Sequence, residues 1–341
     1  MKKVSRIIGM MGLAAVMAVS ASCKKNNETT SSFTFEMPAV EGFVADDSKA
    51  YIDISASNTP IKWMDGDRLR VYSVDATNTT PVTGEFTAEE GATGKTKVNF
   101  LGEQLEKGSY GYFAFYPYEK SLEPEANNVG VFEVSNDQVY DPALEELFAN
   151  TSMAGKAFMD PKCIVSAATC DVLNGHAIAS MRHIFGMANV RIKDLSATGT
   201  TKTVKKVAIM DNNLHLTGVM RITLPEITEA RLQALKTLGK NYANGTVNEE
   251  AYWTTLKPML SDMGYNAEGE GNVIELDCSA NGGVELSSTN KYFIIPVRPG
   301  ALLKEFTVLV TYDNNQVRAF SFNDKKYISR PGTFSNIQIT F

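Results

Sequence analysis

Side chains on which most catalytic and metal sites depend are scarce in this sequence. Its 341 residues include only three histidines, His176, His183 and His215, and none has a partner four residues away, as in a zinc-binding helix. A Gly-x-Ser-x-Gly elbow, the usual setting of a serine hydrolase nucleophile, is also missing. These absences exclude the commonest zinc-dependent and serine-dependent hydrolases.

Two patterns resemble catalytic motifs without meeting their requirements. Residues 91–96 contain Gly-Lys-Thr, but the first glycine of a phosphate-binding loop would fall at Glu89, and a strand pattern follows where a helix is needed. Asp65 with Asp67 and Glu89 with Glu90 are carboxylate pairs, yet turns and solvated edges are where surface charge lies. Asp and Asn clusters lack the spacing of a calcium loop. The sequence predicts no enzyme, no cofactor and no metal.

Basic residues are also in the minority. The chain has 33 Lys and Arg against 39 Asp and Glu, a formal charge of −6, and no run of positive residues. Because nucleic-acid recognition begins from a basic patch, a nucleic-acid partner is excluded. The hydrophobic fraction of 43% and the charged fraction of 21% are typical of a globular protein.

The N-terminus reads as an export signal. Lys2, Lys3 and Arg6 precede an apolar run at 7–19, and small residues then lead into Cys23. This order resembles a bacterial lipobox, which implies that Cys23 is the lipidated first residue of the mature protein, carrying palmitate or a similar acyl chain. The alternative is a plain signal peptide followed by an incidental cysteine.

The segment after the signal is polar. Removing residues 1–22 also removes three positive charges and leaves a formal charge of −9. Residues 23–32 consist mainly of Lys, Asn, Glu, Thr and Ser and cannot bury a core. We expect a flexible tether between the acyl chains, which hold the protein on a membrane surface, and the folded part.

A tight turn at Asp65-Gly66-Asp67 organises the first half of the chain. An apolar run ends on Trp63, and a strand leaves with Leu69 and Val71 on one face. Asp-Gly between two strand-like runs predicts a hairpin, because glycine accepts the positive φ of such turns. We expect Trp63 to close the adjacent end of the core and Asp67 to cap backbone N–H groups. The turn by itself carries no chemistry.

Short runs with period-two alternation continue on both sides and predict an all-β fold. The run at 110–116 is apolar throughout and predicts a central strand covered on both faces. Asp-Asn-Asn at 211–213 and at 313–315 predicts two further hairpin turns. The predicted strands span residues 51–56, 68–74, 82–88, 95–101, 110–116, 129–134, 183–193, 205–210, 214–222, 273–276, 292–297, 306–312, 316–322 and 334–341.

One stretch breaks the β pattern. Residues 225–239 and 248–264 carry leucine-rich stripes at helical spacing, with Pro258 expected to kink or shorten the second helix. We expect a small helical insertion at about 225–264, either capping the second β-domain or serving as a partner surface. Trp253 in this stretch is a candidate exposed aromatic.

Three cysteines remain after Cys23, namely Cys163, Cys170 and Cys278. Their spacing fits no zinc motif, and an odd number cannot all pair within one chain. Cys163 and Cys170 either bridge a loop or remain thiols, and the sequence leaves both open.

Several motifs in order resemble the fimbrillin-like family, the type V pilus subunits and surface lipoproteins of Bacteroidota. They are the lipobox Cys23, the Trp63–Asp67 turn running into a strand, the aromatic strand end at 115–118, His183 before a long strand, and the terminal run at 331–340. The resemblance implies two tandem transthyretin-like Greek-key β-sandwich domains, at residues 33–175 and 176–341. It also implies a non-enzymatic adhesive component of cell-surface fimbriae, exported as an outer-membrane lipoprotein.

In that family, as the resemblance implies, subunits assemble by strand exchange. A protease removes the N-terminal strand after a basic residue, and a neighbouring subunit fills the groove. No Arg lies between Cys23 and Arg68, so Lys49 is the candidate processing site. The segment 33–56 would pair as an edge strand before removal. The expected partners are other fimbrial subunits, the outer membrane and surface ligands of host or bacteria.

The terminal strand has the alternation that strand donation requires. Ile337, Ile339 and Phe341 share one face, which suits insertion of alternate side chains into a groove. An ordinary last strand of its own sheet shows the same alternation. The alternative function is a stand-alone glycan-binding surface lipoprotein of a polysaccharide-uptake system, which exposed aromatics would favour.

Overall fold

The computed structural model describes residues 30–36, 39–41, 58–60, 63–77, 80–106, 108–142, 155–160, 166–173, 176–196, 201–211, 216–264, 266–298, 305–323, 327 and 329–341. Residues Ser31–Phe341 form one compact unit. The described chain is mostly β-sheet with two α-helices, which confirms an all-β fold. The tandem transthyretin-like Greek-key arrangement stays a prediction.

The secondary-structure elements run in the following order along the chain. The strands are β1 (Thr30–Glu36), β2 (Ala39–Glu41), β3 (Asn58–Pro60), β4 (Arg68–Val74), β5 (Val82–Ala88), β6 (Lys97–Glu103), β7 (Gly111–Tyr116), β8 (Ser121–Glu125), β9 (Val129–Val134), β10 (Asp137–Val139), β11 (Ala157–Met159), β12 (Ser166–Leu173), β13 (His176–Ser180), β14 (Arg182–His183), β15 (Gly186–Lys193), β16 (Thr203–Asp211), β17 (Thr217–Thr223), β18 (Asn266–Gly271), β19 (Val273–Asp277), β20 (Val284–Glu285), β21 (Lys291–Val297), β22 (Phe306–Tyr312), β23 (Val317–Phe322) and β24 (Phe334–Thr340). The helices, between β17 and β18, are α1 (Glu229–Ala243) and α2 (Glu249–Asp262).

The first sheet has the order β13-β1-β6-β5-β4-β7-β12-β14. Because β12 also pairs with β13, strand pairing is continuous around seven strands. The all-apolar strand predicted at 110–116 is β7, and all six of its residues are buried between β4 and β12. The prediction of a central strand covered on both faces is therefore confirmed.

The second sheet, β10-β19-β16-β22-β23 with β20 on β16, packs against the third sheet, β11-β21-β15-β24. Ring contacts join the two sheets at both ends. Phe341, next to β24, contacts Tyr312 and Phe320 with centroids 6.0 and 5.4 Å apart, and Tyr140 contacts Phe158 at 5.1 Å. Their inner faces carry the alternating apolar residues predicted for β22.

A fourth sheet, β18-β17-β9-β8, joins strands that are distant in sequence. It covers β4 and β7 of the first sheet, since Phe132 of β9 meets Phe115 of β7 with centroids 5.8 Å apart. Gly130 permits this approach, because a Cβ there would lie 2.4 Å from the Phe115 ring. Strands from both sides of the predicted domain boundary at 175–176 therefore share a sheet, and that boundary itself stays a prediction.

The helical pair extends from the β17–β18 hairpin. Thr228 caps α1 by accepting from the Arg231 N–H at 3.3 Å, and Asn248 caps α2 by accepting from the Ala251 N–H at 2.8 Å. The leucine stripes face inward, and the rings of Tyr242 and Tyr252 stack at 4.5 Å. Pro258 does not shorten α2, which continues to Asp262. Neither helix, nor any other in the described residues, is long and apolar enough to cross a membrane.

Two predicted hairpins are wrong, and β1 is not an edge strand. The strand after the Trp63 turn, β4, pairs with β5 and β7, and β17 pairs with β9 and β18 instead of β16. β1 lies between β6 and β13. Local turn residues fix the direction of the chain, but neighbouring strands are chosen by side-chain packing over long sequence distances. Of the three predicted hairpin turns, the one at 313–315 does join two paired strands, β22 and β23.

Candidate functional site

Trp63 lies just before the turn that leads into β4 and is 1% exposed. Its backbone pairs with the loop before β6, with the Trp63 N–H donating to the Lys95 carbonyl at 2.8 Å and the Gly94 N–H donating to the Trp63 carbonyl at 3.0 Å. Its ring meets Phe100 and Tyr116 edge to face, at 4.8 and 5.1 Å. Trp63 therefore anchors the turn to the core, as the sequence suggested.

The turn itself is held by side-chain oxygens. Gly66 has a φ of 81°, which glycine adopts without strain. Asp65 accepts from the backbone N–H groups of Ala92 and Thr93, at 2.6 and 3.2 Å. These hydrogen bonds, led by the one from Thr93, lower the pKa of Asp65. Asp65 therefore ties the turn to the loop before β6 and is not poised for acid–base chemistry.

Asp67 is the more deeply set of the two carboxylates. Its Oδ2 accepts from the Met64 N–H at 2.7 Å, and its Oδ1 accepts from the Tyr116 hydroxyl at 2.9 Å. Burial raises the pKa of Asp67 to about 6 even though both hydrogen bonds oppose that shift. Both hydrogen bonds of the Asp67 carboxylate therefore join the turn to β7, which is a structural role.

An arginine cluster, formed by Arg68 and Arg70, lies on one face of β4. The guanidinium carbons of Arg68 and Arg70 stand 5.1 and 4.6 Å from the centroid of the Tyr118 ring. Arg70, almost wholly buried, bonds Ser121 at 3.0 Å and Glu123 at 2.8 Å. Arg68 bonds Glu119 at 2.6 Å. The cluster joins the aromatic strand end at 115–118 to β4 and β8.

The N-terminal strand β1 is packed on both sides. It runs parallel to β13, with Phe33 opposite Ala177, and it neighbours β6 on its other edge. Phe35 is fully buried, and its ring meets Phe100 edge to face at 5.5 Å. Since Phe100 in turn touches Trp63, a row of rings connects β1 with the turn.

The candidate donor strand β24 lies at the end of the third sheet. Among the described residues it pairs only with β15, in parallel, with Val190 opposite Ile337. Ile337 and Ile339 are 0% and 3% exposed, and Phe341 is half-buried. Ile337 and Ile339 thus lie in the core of their own chain, and Phe341 packs against that core. The other edge of β24 has no strand partner among the described residues.

Two predicted sites lie outside the described residues. Cys23 and Lys49 belong to ranges that the structure does not describe, and Lys49 falls in the segment 42–57 that joins β2 to β3. Cys163 and the side chain of Cys170 are likewise outside, so both predicted alternatives stand. Cys278 is a free, buried thiol whose pKa is raised, first by burial and then by neighbouring Asp277.

The remaining candidate groups are not brought together. Glu89 and Glu90 are exposed at the end of β5, and His183 is buried beside β15. His215 lies outside the described residues. Within the described ranges, no group of three or more His, Cys, Asp or Glu side chains is placed to hold a metal ion. Trp253 is partly buried, packing on Tyr252 at 5.6 Å.

A cleft of about 650 Å³ lies at the β22–β23 hairpin. Its walls come from the hairpin and from the chain entering β16. The hairpin is rigid, since the Asn315 N–H donates to the Tyr312 carbonyl at 2.9 Å and the Gln316 N–H donates to Asn314 Oδ1 at 3.0 Å. The lining residues are Thr201, Lys202, Tyr312, Asp313, Asn314, Gln316, Val317 and Arg318.

Cations and a buried hydroxyl define the chemistry of this cleft. Arg318 is exposed, with its guanidinium carbon 4.9 Å from the Phe341 centroid and 5.1 Å from that of Phe320. The Lys202 Nζ also lies near this ring, 5.0 Å from the Phe341 centroid. Tyr312 is 9% exposed, and burial raises its pKa to about 12.

Sequence reasoning did not find this cleft. Its residues come from two stretches more than a hundred positions apart in the sequence. The turn residues at 313–315 predict a hairpin but not a cleft. The one signal available was the density of polar side chains with an arginine at 312–318, immediately after a strand of clean alternation.

No protein-family model matches the chain, and no curated protein matches its sequence. Solved structures do show similarity. A candidate cell adhesion protein from Bacteroides ovatus has a TM-score of 0.45 at 13% identity, covering 91% of both chains. The fimbrial anchor protein Mfa2 from Porphyromonas gingivalis has a TM-score of 0.34 at 12% identity, covering 86% of this chain and 82% of that one.

A third similar structure belongs to candidate polysaccharide binding proteins from Bacteroides thetaiotaomicron, with a TM-score of 0.36 at 9% identity and 91% coverage of both chains. All three TM-scores lie below 0.5, so the functions of these proteins are not carried over to this chain.

Proposed function

We propose that this protein is a non-enzymatic structural and adhesive component of cell-surface fimbriae that assembles by strand exchange. The observation that carries the proposal is the position of β1, which completes the ring of seven paired strands in the first sheet. The proposal keeps the two predicted domains, 33–175 and 176–341, as parts of one fimbrial subunit.

Removal of β1 would leave a groove suited to another strand. Strands β6 and β13 would each lose one of their two neighbours, and the N–H and C=O groups on that edge would be left to pair with water or with a new strand. The side chain of Phe35 would leave an apolar space against Phe100. An added strand supplies main-chain hydrogen bonds, and alternate side chains fill such a space.

The position of the candidate processing site fits this removal. A cut after Lys49 would separate β1 and β2 from the rest of the chain while leaving β3 in place. In family members that the sequence resembles, a cut after a basic residue opens the groove. Lys49 is therefore the proposed point of processing.

β24 is the proposed donor strand. Burying Ile337, Ile339 and Phe341 in a neighbour's groove would contribute roughly 5–8 kcal/mol before ordering costs. In the single chain Ile337 and Ile339 are already buried, so the exchange gains nothing from them alone. The net gain in free energy comes from covering the apolar groove that opens when Phe35 is removed with β1. Assembly is therefore favourable only after the cut at Lys49.

The test is to trim the purified protein after Lys49 and to measure its mass in solution. Folded, trimmed protein is expected to form oligomers, whereas intact protein stays monomeric and Lys49→Gln protein resists trimming. Trimmed protein that remains folded and monomeric at high concentration, alone and with intact subunits, would overturn strand exchange. Circular dichroism of each sample separates failure to assemble from failure to fold.

Lipidation of Cys23 is part of the proposal, because a fimbrial subunit or anchor of this kind reaches the outer membrane as a lipoprotein. Buried acyl chains would hold the chain at the membrane. The tether is shorter than the predicted 23–32, because β1 begins at Thr30. Metabolic labelling with a fatty-acid analogue is expected to mark the wild-type protein and not Cys23→Ala. Equal labelling of both would contradict lipidation at this residue.

A second candidate function is a stand-alone glycan-binding surface lipoprotein. The observation that favours it is the cleft at the β22–β23 hairpin, whose volume lies in the usual range for small-ligand sites. It differs from the first candidate in needing no processing at Lys49. Binding of oligosaccharides by the untrimmed monomer is the measurement that separates the two.

A further inference from the structure

We propose that the cleft at the β22–β23 hairpin binds a neutral oligosaccharide. This inference deepens the second candidate function and rests on it, because it names the ligand class of the same cleft. It does not require strand exchange, since the cleft belongs to the second sheet and β1 to the first.

The first support is a buried hydroxyl without a partner. Tyr312 lines the cleft and is 9% exposed, and its hydroxyl oxygen makes no hydrogen bond to any described residue. A buried polar group left without a partner lowers stability, because it has given up its hydrogen bonds to water. A ligand hydroxyl in the cleft would supply the missing partner, because it both donates and accepts.

The second support is the balance of charge around the cleft. Lys202 donates to Asp194 Oδ2 at 2.7 Å and to Ser196 Oγ at 3.0 Å. That contact with Lys202, followed by the one with Ser196, lowers the pKa of Asp194 to about 2. The ion pair at 2.7 Å therefore balances the charge of Lys202 within the chain. The remaining charged lining residues are Arg318 and Asp313, one of each sign.

Arg318 and Asp313 form no ion pair within the described part of the chain, either with each other or with another residue. The guanidinium is held instead over two rings and keeps its N–H donors for a ligand. The Asp313 carboxylate can only accept. Together they provide donors and acceptors with no net charge.

A saccharide meets these requirements better than an anion or an acidic peptide does. Its hydroxyls accept from Arg318, donate to Asp313 and pair both ways with the amides of Asn314 and Gln316. An anionic ligand would face the Asp313 carboxylate and a chain with a formal charge of −6. The exposed side chain of Val317 offers an apolar contact for the C–H face of a sugar ring.

Isothermal titration calorimetry on the purified, untrimmed protein tests the proposal with defined probes. The neutral probes are maltotriose, mannotriose and xylotriose. The charged probes are trigalacturonate and a tri-glutamate peptide. At least one neutral trisaccharide is expected to bind with a Kd in the millimolar range or below, and both charged probes are expected to bind more weakly.

Two conservative variants place the binding in the cleft. Tyr312→Phe removes only the unpartnered hydroxyl, so it should weaken binding about tenfold, the equivalent of one lost hydrogen bond, without lowering the unfolding temperature of the free protein. Asp313→Asn should weaken binding by a similar factor. Tyr110→Phe, a matched change at an exposed tyrosine outside the cleft, should leave binding unchanged.

Each other outcome overturns the inference in a distinguishable way. Tighter binding of trigalacturonate would show that the ligand class is acidic and leave glycan binding standing. Binding of the peptide alone, or of no probe, would overturn both the inference and the second candidate function. Saccharide binding that neither cleft variant weakens would place the site elsewhere on the protein.

Discussion

Tyr116 and Tyr312 occupy equivalent positions in two different regions of the molecule. Each is the last residue of a central strand, and their exposed fractions are 8% and 9%. The Tyr116 hydroxyl donates to Asp67 at 2.9 Å, whereas the Tyr312 hydroxyl makes no hydrogen bond within the described residues. The exposed fractions of the two side chains are thus similar, and their hydroxyl groups differ in hydrogen bonding.

This difference teaches what each region is built for. Around Trp63 the polar groups are satisfied by the chain itself, so the region is complete without a ligand and serves stability. Around the β22–β23 hairpin, the buried Tyr312 hydroxyl has no partner in the described chain, and polar side chains line the adjacent cleft. We infer that the region around Trp63 stabilises the predicted N-terminal domain. The region around the β22–β23 hairpin is then available to bind a ligand.

The largest expected effect comes from removing the aromatic anchor of the first region. Trp63→Ala would empty a site that is 1% exposed and contacts both Phe100 and Tyr116, so the free energy of unfolding should fall by about 3–5 kcal/mol. Trp253→Ala is the matched control, because that ring is only partly buried. Denaturant unfolding measures both, and equal losses would contradict the anchoring role of Trp63.

The next effect is a pH dependence that belongs to Asp67. Its folded pKa of about 6 lies above the ordinary value of 3.8, so between those pH values the folded state binds more protons than the unfolded state. The free energy of unfolding therefore falls as pH rises from about 4 to about 6. Relative to Asp67→Asn, wild type should lose about 2–3 kcal/mol across this window.

Denaturant unfolding of both proteins at pH values from 4 to 7 checks this prediction. Asp67→Asn keeps an acceptor for the Met64 N–H and a partner for the Tyr116 hydroxyl, so it retains the turn. Asp65→Asn is the control at an exposed carboxylate. A difference between wild type and Asp67→Asn that does not change with pH would rule out a raised pKa.

The smallest effects sharpen the comparison of the two tyrosines directly. At neutral pH, Tyr116→Phe removes the donor to Asp67 and should lower the free energy of unfolding by about 1–2 kcal/mol. Tyr312→Phe removes a hydroxyl that has no partner in the described chain and should be neutral or slightly stabilising. Similar losses in the two variants would mean that Tyr312 is structurally bonded and that the cleft is not open.

Local features of the fold were predictable from the sequence. The alternation of Phe306, Val308 and Val310 and the apolar run of β7 predicted strands close to those observed, because period and polarity follow from how a strand is covered. Both helices lie in the predicted stretch at 225–264, with Thr228 and Asn248 as N-caps, although the first begins at Glu229 and not at residue 225.

Long-range pairing was not predictable in the same way. The turn at Asp65–Asp67 lies where the sequence placed it, yet β4 pairs with β5 and β7 because Trp63 turns away to the Lys95 loop. β1 has two strand neighbours, and alternation alone does not reveal how many neighbours a strand has. The cleft depends on β16 and the β22–β23 hairpin meeting, which only the folded chain specifies.

The central claim, assembly by strand exchange, is tested most directly on cells. A cell-surface preparation run on a denaturing gel without boiling should show a ladder of bands at multiples of the subunit mass, and boiling should collapse the ladder to one band. Strand-exchanged polymers are expected to resist detergent because each groove is filled by a strand with its full set of main-chain hydrogen bonds. A single monomer band in the unboiled sample of processed, surface-exposed protein would contradict the account.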